Sequence, residues 1–329
     1  MKSDFEARRH LSDPVAALPF DLGLEFAASL RDACEFKIPE IFIDLAAWAQ
    51  TALNFRGFAP SAVLHGIARM RKNLVAYVPD SEIENARSVL NAAEKRLHQV
   101  SAAEASAGDE KEPSGSRAHR FLEAILQGNE SAAAREALFS MVDGTPIVDV
   151  YQQILTPALH EIGRLWQRNE ISIAKEHAAT AALQRVMAQL IDLSPTPPHR
   201  EFSVVTCAPG NAQHDVGARM VADAFTLAGW HSTYLGGNVP VEDLLAYLDE
   251  VSVDVLAVSA TLGRDLMPIR SLISELENRP LAPIVLVGGR AFSLRSTLWR
   301  QIGADGYALT PVMAVALAGE LVAGCTEAE

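Results

Sequence analysis

Between residues 201 and 325, short apolar runs alternate with amphipathic segments, a pattern that few folds accommodate. Short apolar runs bounded by turn residues are typical of buried strands, and apolar residues three and four positions apart indicate helices. Strands that alternate with helices favour a Rossmann-like, doubly wound parallel sheet, because parallel neighbours must be joined by a crossover. The predicted strands cover residues 202–207, 232–236, 253–258, 283–287 and 306–309.

The chain before this region carries helical patterns and no strand signals. We expect an N-terminal all-helical domain over residues 1–105, a linker at 106–117, a four-helix bundle over 118–198 and the sheet domain at 199–329. The linker is predicted from its small, polar and charged residues. The predicted fold class is therefore multidomain, α and α/β. The individual helices are predicted over residues 14–36, 38–55, 60–77, 81–100, 119–127, 131–143, 147–166 and 172–193.

Composition excludes several classes of function. The formal net charge of −13 argues against direct nucleic-acid binding, because a phosphate backbone is bound by clustered Lys and Arg. No apolar run is long enough to predict a membrane span, and the charged N-terminus lacks the apolar core of a signal peptide. The odd number of widely separated cysteines, Cys34, Cys207 and Cys325, predicts buried free thiols in a cytoplasmic protein.

Three polar or glycine motifs follow predicted strands. His214 to Gly217 follows the first strand, Ser259 to Leu262 the third, and Gly288-Gly289 the fourth. The carboxyl ends of parallel strands meet at the edge of the sheet where open α/β folds bind ligands. With its spacing, the series His-x-x-Gly, Ser-x-x and Gly-Gly resembles the cobalamin-binding domains of corrinoid proteins, over about residues 201 to 325.

The resemblance implies a role for each motif. His214 would be the lower axial ligand of cobalt, displacing the benzimidazole of the cofactor, as a neutral imidazole is a suitable ligand. Ser259 and Thr261 would offer hydroxyls to the slot for the displaced nucleotide tail, and Gly288 and Gly289 would let the backbone approach that tail. The remaining motif positions are expected cofactor contacts by the same resemblance: Asp215, Val216, Gly217 and Leu262.

One position departs from the family pattern. Relatives often carry an acidic residue two positions before the histidine, where it orients the imidazole, and this chain has Ala212 there. Asn211, Gln213 or a backbone carbonyl are the alternatives that the sequence offers. Because such partners tune the basicity of a metal ligand, we expect the bond between cobalt and His214 to be weaker or differently tuned.

A second motif lies in the predicted bundle. Trp166 is followed by nine residues and then by Glu176-His177, which resembles the signature of light-sensing adenosylcobalamin regulators. The resemblance implies that Trp166 packs against the adenosyl group, Glu176 accepts hydrogen bonds from its ribose and His177 lies beside it. Light would break the cobalt–carbon bond and the bundle would then shift. Some relatives carry a histidine directly after the tryptophan; here Gln167 excludes that residue as a second axial ligand, although His177 could move to the metal.

The order of the domains is similar to that of photocobilins, which bind the open-chain tetrapyrrole biliverdin as well as cobalamin. The resemblance implies an apolar slot and cations for the two propionates of a bilin. The candidates for these contacts are Trp48, Arg56, His65 and Arg69, of which His65 and Arg69 lie one turn apart on a predicted helix. Cys34 is expected to be a buried free thiol rather than a point of covalent attachment.

The resulting hypothesis is a cytoplasmic photoreceptor, not an enzyme, with adenosylcobalamin and in addition biliverdin as chromophores. We expect a homo-oligomer that responds to light and a separate, unknown output protein, because no output signature follows the sheet domain. The alternatives are a corrinoid methyl carrier of a methyltransferase system and a sensor of cofactor level without a light response. A radical mutase is disfavoured, because no eightfold strand–helix barrel precedes the sheet domain.

Overall fold

The computed structural model describes residues 22–103, 115–195, 197–198, 201–210, 212–279 and 281–326. The chain divides into two compact units: the first contains residues 1–116 and 159–180, and the second contains 117–158 and 181–329. Most of the predicted linker at 106–117, the start of the helix predicted from residue 14, and Asn211 lie outside the described residues. No helix among the described residues is both long and apolar enough to cross a membrane.

Among the described residues, the N-terminal part of the first unit contains four α-helices and two short 3-10 helices, and the α-helices bury their apolar stripes. Phe26 and Phe42 meet edge to face at 5.4 Å, and the side chains of Leu30, Leu53 and Leu90 are fully buried around them. The loop between the first two of these helices is a tight turn. Lys37 adopts a φ of 55° in it, and Pro39 directly precedes the second helix. The four helices are α1 (Leu22–Glu35), α2 (Glu40–Asn54), α3 (Ala62–Lys72) and α4 (Ile83–Ala103).

The predicted bundle is also helical, with one departure from α geometry. The segment predicted as a single helix contains a π-helical turn, Tyr151–Leu155, and wide turns of this kind are frequent at functional sites. Tyr151 is fully buried there, and its hydroxyl donates a hydrogen bond of 2.8 Å to the carboxylate of Asp223. The helices are α5 (Arg117–Leu126), α6 (Glu130–Val142), α7 (Ile147–Val150), α8 (Thr156–Gln167) and α9 (Ile173–Asp192).

The sheet contains five parallel strands in the order β2-β1-β3-β4-β5. Apolar residues face each other along the central ladder, for example Leu256 opposite Val285, because helices cover both faces of the sheet. The predicted parallel Rossmann-like sheet is confirmed. The strands are β1 (Ser203–Pro209), β2 (His231–Val239), β3 (Val255–Ser259), β4 (Ile284–Gly288) and β5 (Gly306–Ala308). The helices are α10 (Val216–Leu227), α11 (Val241–Glu250), α12 (Leu266–Leu276), α13 (Arg290–Ser293), α14 (Leu298–Gln301) and α15 (Pro311–Thr326).

The strand order positions the candidate site. The order reverses between β1 and β3, so the loops that leave these two strands diverge and a crevice opens at their carboxyl ends. The loop after β1 carries His214, and the loop after β3 carries Thr261. The strand β2 is longer than predicted, since it covers His231–Val239 instead of residues 232–236.

Candidate functional site

The loop that carries His214 is fixed by its neighbours. Gly210 donates its backbone N–H to the carbonyl of Val239 at 2.8 Å, and Asn238 donates to the carbonyl of Ala212 at 2.7 Å. Gly210 has a φ of 69°, and a Cβ at this position would lie 2.9 Å from Pro268 of α12. The end of β2 and the start of α12 therefore hold the backbone of this loop, whereas the side chain of His214 is exposed.

Asp215 immediately follows His214 and is held from two directions. Its carboxylate accepts a hydrogen bond of 2.9 Å from the hydroxyl of Tyr234 in β2 and one of 3.2 Å from the amide nitrogen of Gln184 in α9. Burial, and then the bond and charge of Asp215, raise the pKa of Tyr234, so this phenol stays a donor. Asp215 occupies the residue before α10 but makes no side-chain cap there. Its contacts restrict the residue adjacent to the predicted cobalt ligand.

Asp265 was missed by the sequence argument. This carboxylate is 2% exposed and accepts hydrogen bonds from the backbone N–H of Thr261 at 3.2 Å and of Leu262 at 2.9 Å. Burial raises the pKa of Asp265, and the two backbone bonds and the charges of Arg264 and His214 offset that effect in part. Asp265 is therefore within electrostatic reach of His214. The residue two positions before His214, where relatives often carry an acid, is Ala212.

A local signal for Asp265 exists in the sequence. An acid four residues after Thr261, which follows the end of β3, is placed to accept bonds from the turn that it closes, as side-chain oxygens do at turns and helix starts. Of the alternatives named for orienting the imidazole, Gln213 is exposed, and the carbonyl of Ala212 accepts a bond from Asn238.

Residues of the first two motifs meet at the crevice. A Cβ added to Gly217, in the first turn of α10, would lie 3.6 Å from the hydroxyl oxygen of Ser259 at the end of β3. Val216 is buried, and Thr261 and Leu262 are partly exposed where their backbone is tied to Asp265. The structure thus brings the motif after β1 and the motif after β3 together, as their common sheet edge predicts.

The two glycines after β4 are required by the fold itself. A Cβ on Gly288 would lie 2.8 Å from the carbonyl oxygen of Ala308, and one on Gly289 would lie 2.3 Å from that of Ala260. Gly289 also has a φ of 91°, which residues with a Cβ rarely adopt. Neighbouring backbone therefore explains both glycines without any ligand, a reason different from the one that the sequence suggested.

The second motif, Trp166 with Glu176 and His177, lies in the first unit. Glu176 and His177 are in the first turns of α9, where a Glu176 carboxylate oxygen lies 2.6 Å from Nδ1 of His177 and the other accepts a bond of 3.0 Å from Thr180. The side chain of His177 is 68% exposed, and Ala174 and Ala178 are exposed on the same helix. The first part of α9 therefore has small side chains and an imidazole on its exposed surface.

Trp166 is partly exposed at the end of α8 and contacts the N-terminal helices. Its ring stacks on that of Trp48 with a centroid distance of 5.7 Å, and the guanidinium of Arg56 lies 5.4 Å from its centroid. Trp48 and Arg56 were predicted as bilin contacts, and the structure brings both to Trp166. The other two candidates, His65 and Arg69, are exposed on α3.

Cys34 and Cys207 are free and buried, as predicted. Burial and the charge of Glu82 raise the pKa of Cys34 to about 11, so this thiol is protonated near neutral pH and is a poor nucleophile for covalent attachment. The side chain of Cys325 lies outside the described residues.

The residues at the sheet edge suit a corrin. The macrocycle itself supplies the equatorial nitrogens, so a single exposed imidazole such as His214, with Asp265 in electrostatic reach, is sufficient as the protein ligand. The described residues contain no cluster of three or more His, Cys, Asp or Glu side chains that would hold a metal ion directly.

The chain is similar in sequence to several known proteins. A corrinoid protein of Desulfitobacterium hafniense is 26% identical over 207 residues, which are 61% of this chain and 94% of that protein. The dimethylamine corrinoid protein of Methanosarcina barkeri is 27% identical over 53% of this chain and 83% of its own length. The HTH-type transcriptional repressor CarH of Myxococcus xanthus is 24% identical over 51% of this chain and 56% of its own length.

The fold also has a counterpart among solved structures. The monomethylamine corrinoid protein of Methanosarcina barkeri superposes with a TM-score of 0.50 at 19% identity, over 61% of this chain and 96% of that one, which shows the fold. Two family models, each described as a B12 binding domain, match residues 117–191 and 203–316. The chain therefore contains two B12-binding domains, and the cofactor class that they imply is a cobalamin or another corrinoid.

Proposed function

We propose that the protein is a light sensor whose chromophore is adenosylcobalamin. The observation that carries the proposal is the environment of Trp166, the first residue of the Trp-x9-Glu-His motif. A tryptophan that only filled the bundle core would be buried among bundle residues, but Trp166 is partly exposed and contacts Trp48 and Arg56. This motif residue is thus linked directly to a further helical domain, as a sensor with a responsive part requires.

Each side of the cofactor would be held by a different set of residues. His214 would bind cobalt from the sheet edge, with the carboxylate of Asp265 in electrostatic reach of its imidazole and Asp215 restricting its loop. Ser259 and Thr261 would face the nucleotide tail. When bound, adenosylcobalamin supplies a cobalt–carbon bond that light cleaves.

The upper face of the cofactor, opposite the imidazole, is assigned to Trp166, Glu176 and His177. Glu176 is a carboxylate acceptor for ribose hydroxyls, and its bonds to His177 and Thr180 fix its direction. Ala174 and Ala178 leave room for a large group beside His177. Loss of that group would release Trp166, and we propose that a change of homo-oligomer or a separate output protein passes the signal on.

A spectroscopic experiment tests the proposal. Protein produced in darkness and loaded with adenosylcobalamin is recorded before and after green light. We expect the absorbance to convert to that of a cobalamin without its adenosyl group, and a Trp166→Ala variant to bind the adenosyl and methyl forms with more similar affinities than the wild type does. An unchanged spectrum after illumination rules out the sensor.

A corrinoid methyl carrier is the second candidate, and the similarity to dimethylamine corrinoid proteins favours it. Such a carrier needs His214 and the sheet edge but has no use for the contacts between Trp166 and the N-terminal helices. Methyl transfer from the methylcobalamin-loaded protein to a thiol, with no response of the adenosyl form to light, would establish the carrier instead.

We also propose biliverdin as a second chromophore. His65 and Arg69 support it, since both are exposed one turn apart on α3 and Arg69 belongs to a basic last turn with Arg71 and Lys72. As a propionate partner, Arg56 would have to give up bonds that it already makes to backbone carbonyls. Addition of biliverdin should produce a red-absorbing band that His65→Ala weakens; the spectrum of the free pigment would remove the second chromophore.

A further inference from the structure

We propose that Trp48 and Arg56 are positioning residues for Trp166, and that α2 is the element that receives the state of the upper face of the cofactor. The inference rests on the proposed function and identifies the part of the chain that would respond when light changes the cofactor. It places the recipient of the signal inside this chain, in the N-terminal helical domain, before any oligomer or output protein is involved.

The first support is the end of α8, whose backbone carbonyls are bound by Arg56, two residues after the end of α2. Arg56 donates from Nη1 to the carbonyl of Gln167 at 2.8 Å and from Nη2 to that of Trp166 at 3.1 Å. The last carbonyls of a helix lack partners inside the helix, and a cation placed there satisfies them and complements the helix dipole. Arg56 thus closes the C-terminal end of the helix that carries Trp166.

The second support is the contact between side chains. The rings of Trp48 and Trp166 are 29° from parallel at a centroid distance of 5.7 Å, an offset arrangement that aromatic pairs favour. The side-chain amide of Gln167 donates to the carbonyl of Trp48 at 3.2 Å. One residue further, the guanidinium of Arg168 lies 5.8 Å from the ring centroid of Phe55. Three successive residues of α8 and its end therefore each contact α2 or the residues directly after it.

The third support is the cost of breaking this arrangement. Burial lowers the pKa of the Arg56 guanidinium, which shows that the charge is partly removed from water. Its Nη1 also donates to the carbonyl of Ala52 at 2.8 Å, so Arg56 makes three carbonyl contacts in all. A half-buried cation that lost two of these partners would be strongly disfavoured, so a shift of Trp166 must move α2 or expel Arg56.

The position of α2 makes it a suitable receiver. Its side chains Phe42 and Leu53 are fully buried in the core of the N-terminal helices, and Ser29 of α1 donates a hydrogen bond of 2.9 Å to the carbonyl of Ile41. A displacement of the C-terminal end of α2 is therefore transmitted to packed neighbours rather than absorbed by a loop.

Hydrogen exchange of the intact protein, loaded with adenosylcobalamin, tests the inference. Amide exchange is followed in peptides that cover α2 and residues 159–180, in darkness and after green light. In the wild type we expect light to accelerate exchange in both segments, by roughly tenfold in α2, a typical size for coupling between sites. In Arg56→Gln we expect the light effect to persist in residues 159–180 and to disappear from α2.

Matched variants separate positioning from folding. Arg87→Gln, which removes an exposed arginine that pairs only at 3.5 Å with Glu84 on α4, should keep the wild-type light effect in both segments. Arg56→Lys keeps a charge but cannot reproduce a planar guanidinium, so it should behave as Arg56→Gln and serves if that variant unfolds. Trp48→Leu keeps apolar volume and should reduce the effect in α2 without abolishing it in residues 159–180.

The outcomes separate the two proposals. A wild type that responds in residues 159–180 but not in α2, or an Arg56→Gln variant whose α2 response equals that of the wild type, overturns the inference and leaves the light sensor intact. A wild type whose absorbance does not change on illumination overturns the light sensor, and the inference falls with it.

Discussion

Single residues at the sheet edge act through neighbours that are distant in sequence. His214 is exposed, and its surroundings come from the loop after β3, through Asp265, and from β2 and α9, through the contacts of Asp215. The motif positions were predictable because each follows an apolar strand. Asp265 was not, because its importance depends on its own burial in the turn after β3 and on a histidine 51 positions earlier in the chain.

Asp265→Asn tests whether this carboxylate supports His214. The amide keeps the shape of the side chain but loses its charge, so we expect cobalamin affinity to fall by roughly 10- to 100-fold, the usual effect of removing a partner of a metal ligand. Titration of cobalamin followed by absorbance measures the change. Asp243→Asn, in an exposed turn of α11, is the control. Equal affinities for the wild type and Asp265→Asn would remove Asp265 from the site.

Gly289 and Gly217 should respond differently to replacement by alanine. Gly289→Ala places a Cβ 2.3 Å from the carbonyl oxygen of Ala260 at a φ of 91°, so we expect a loss of roughly 3 kcal/mol in the free energy of unfolding. Gly217→Ala places its Cβ at an ordinary 3.6 Å from Ser259 and should leave stability near that of the wild type while weakening cobalamin binding. Urea denaturation without cofactor and cobalamin titration separate the two effects, and equal stability of the two variants would contradict the assignment.

At the scale of elements, the sequence predicted where the helices and strands lie but not which elements pack or pair with one another. Periodicity predicted the five strands and the helices of both helical parts, because it reports the faces that each element buries. It did not show which alanines of α9 face inward, where Ala179 and Ala182 are buried and Ala178 is exposed. It also gave no strand order, because the reversal between β1 and β3 depends on contacts between strands.

The link between the π-helical turn and α10 predicts a dependence of stability on pH. Burial raises the pKa of Asp223 above its ordinary value of 3.8, so the folded state keeps a proton that the unfolded chain has lost. The stabilisation from this retained proton is fully present below the ordinary pKa of 3.8 and is lost as the pH rises through the raised pKa of Asp223. We expect the free energy of unfolding of the wild type, relative to Asp223→Asn, to decrease as the pH increases from about 4 towards neutrality.

Tyr151→Phe sharpens that measurement. The hydroxyl of Tyr151 donates to Asp223 and so favours its charged form, and its loss should raise the pKa of Asp223 further and extend the pH-dependent range upward. Urea midpoints at several pH values would show the trend. A difference between wild type and Asp223→Asn that stays constant with pH would show that Asp223 does not titrate as its burial requires.

At the scale of the whole molecule, two of the three boundaries between the compact units fall within α8 and α9, and the other lies directly before α5. Each of these two helices therefore contains residues of both units. Trp166 lies on α8, and Glu176 and His177 lie on α9 together with Gln184, which contacts Asp215. The sequence predicted the two cobalamin motifs separately. It could not predict that Trp166 is held by Trp48, because 118 residues separate them and no periodicity reports such a contact.

The most direct test of the account is electron paramagnetic resonance of the protein loaded with cob(II)alamin, with its histidines labelled with nitrogen-15. Nitrogen-15 splits the cobalt signal into doublets, whereas the natural nitrogen of the cofactor's own benzimidazole gives triplets. We predict doublets for the wild type, triplets or no nitrogen splitting for His214→Ala, and doublets for a control in which the exposed His65 is replaced by Ala. Triplets in the labelled wild type, or doublets that persist in His214→Ala, would contradict the assignment of His214 as the protein ligand of cobalt.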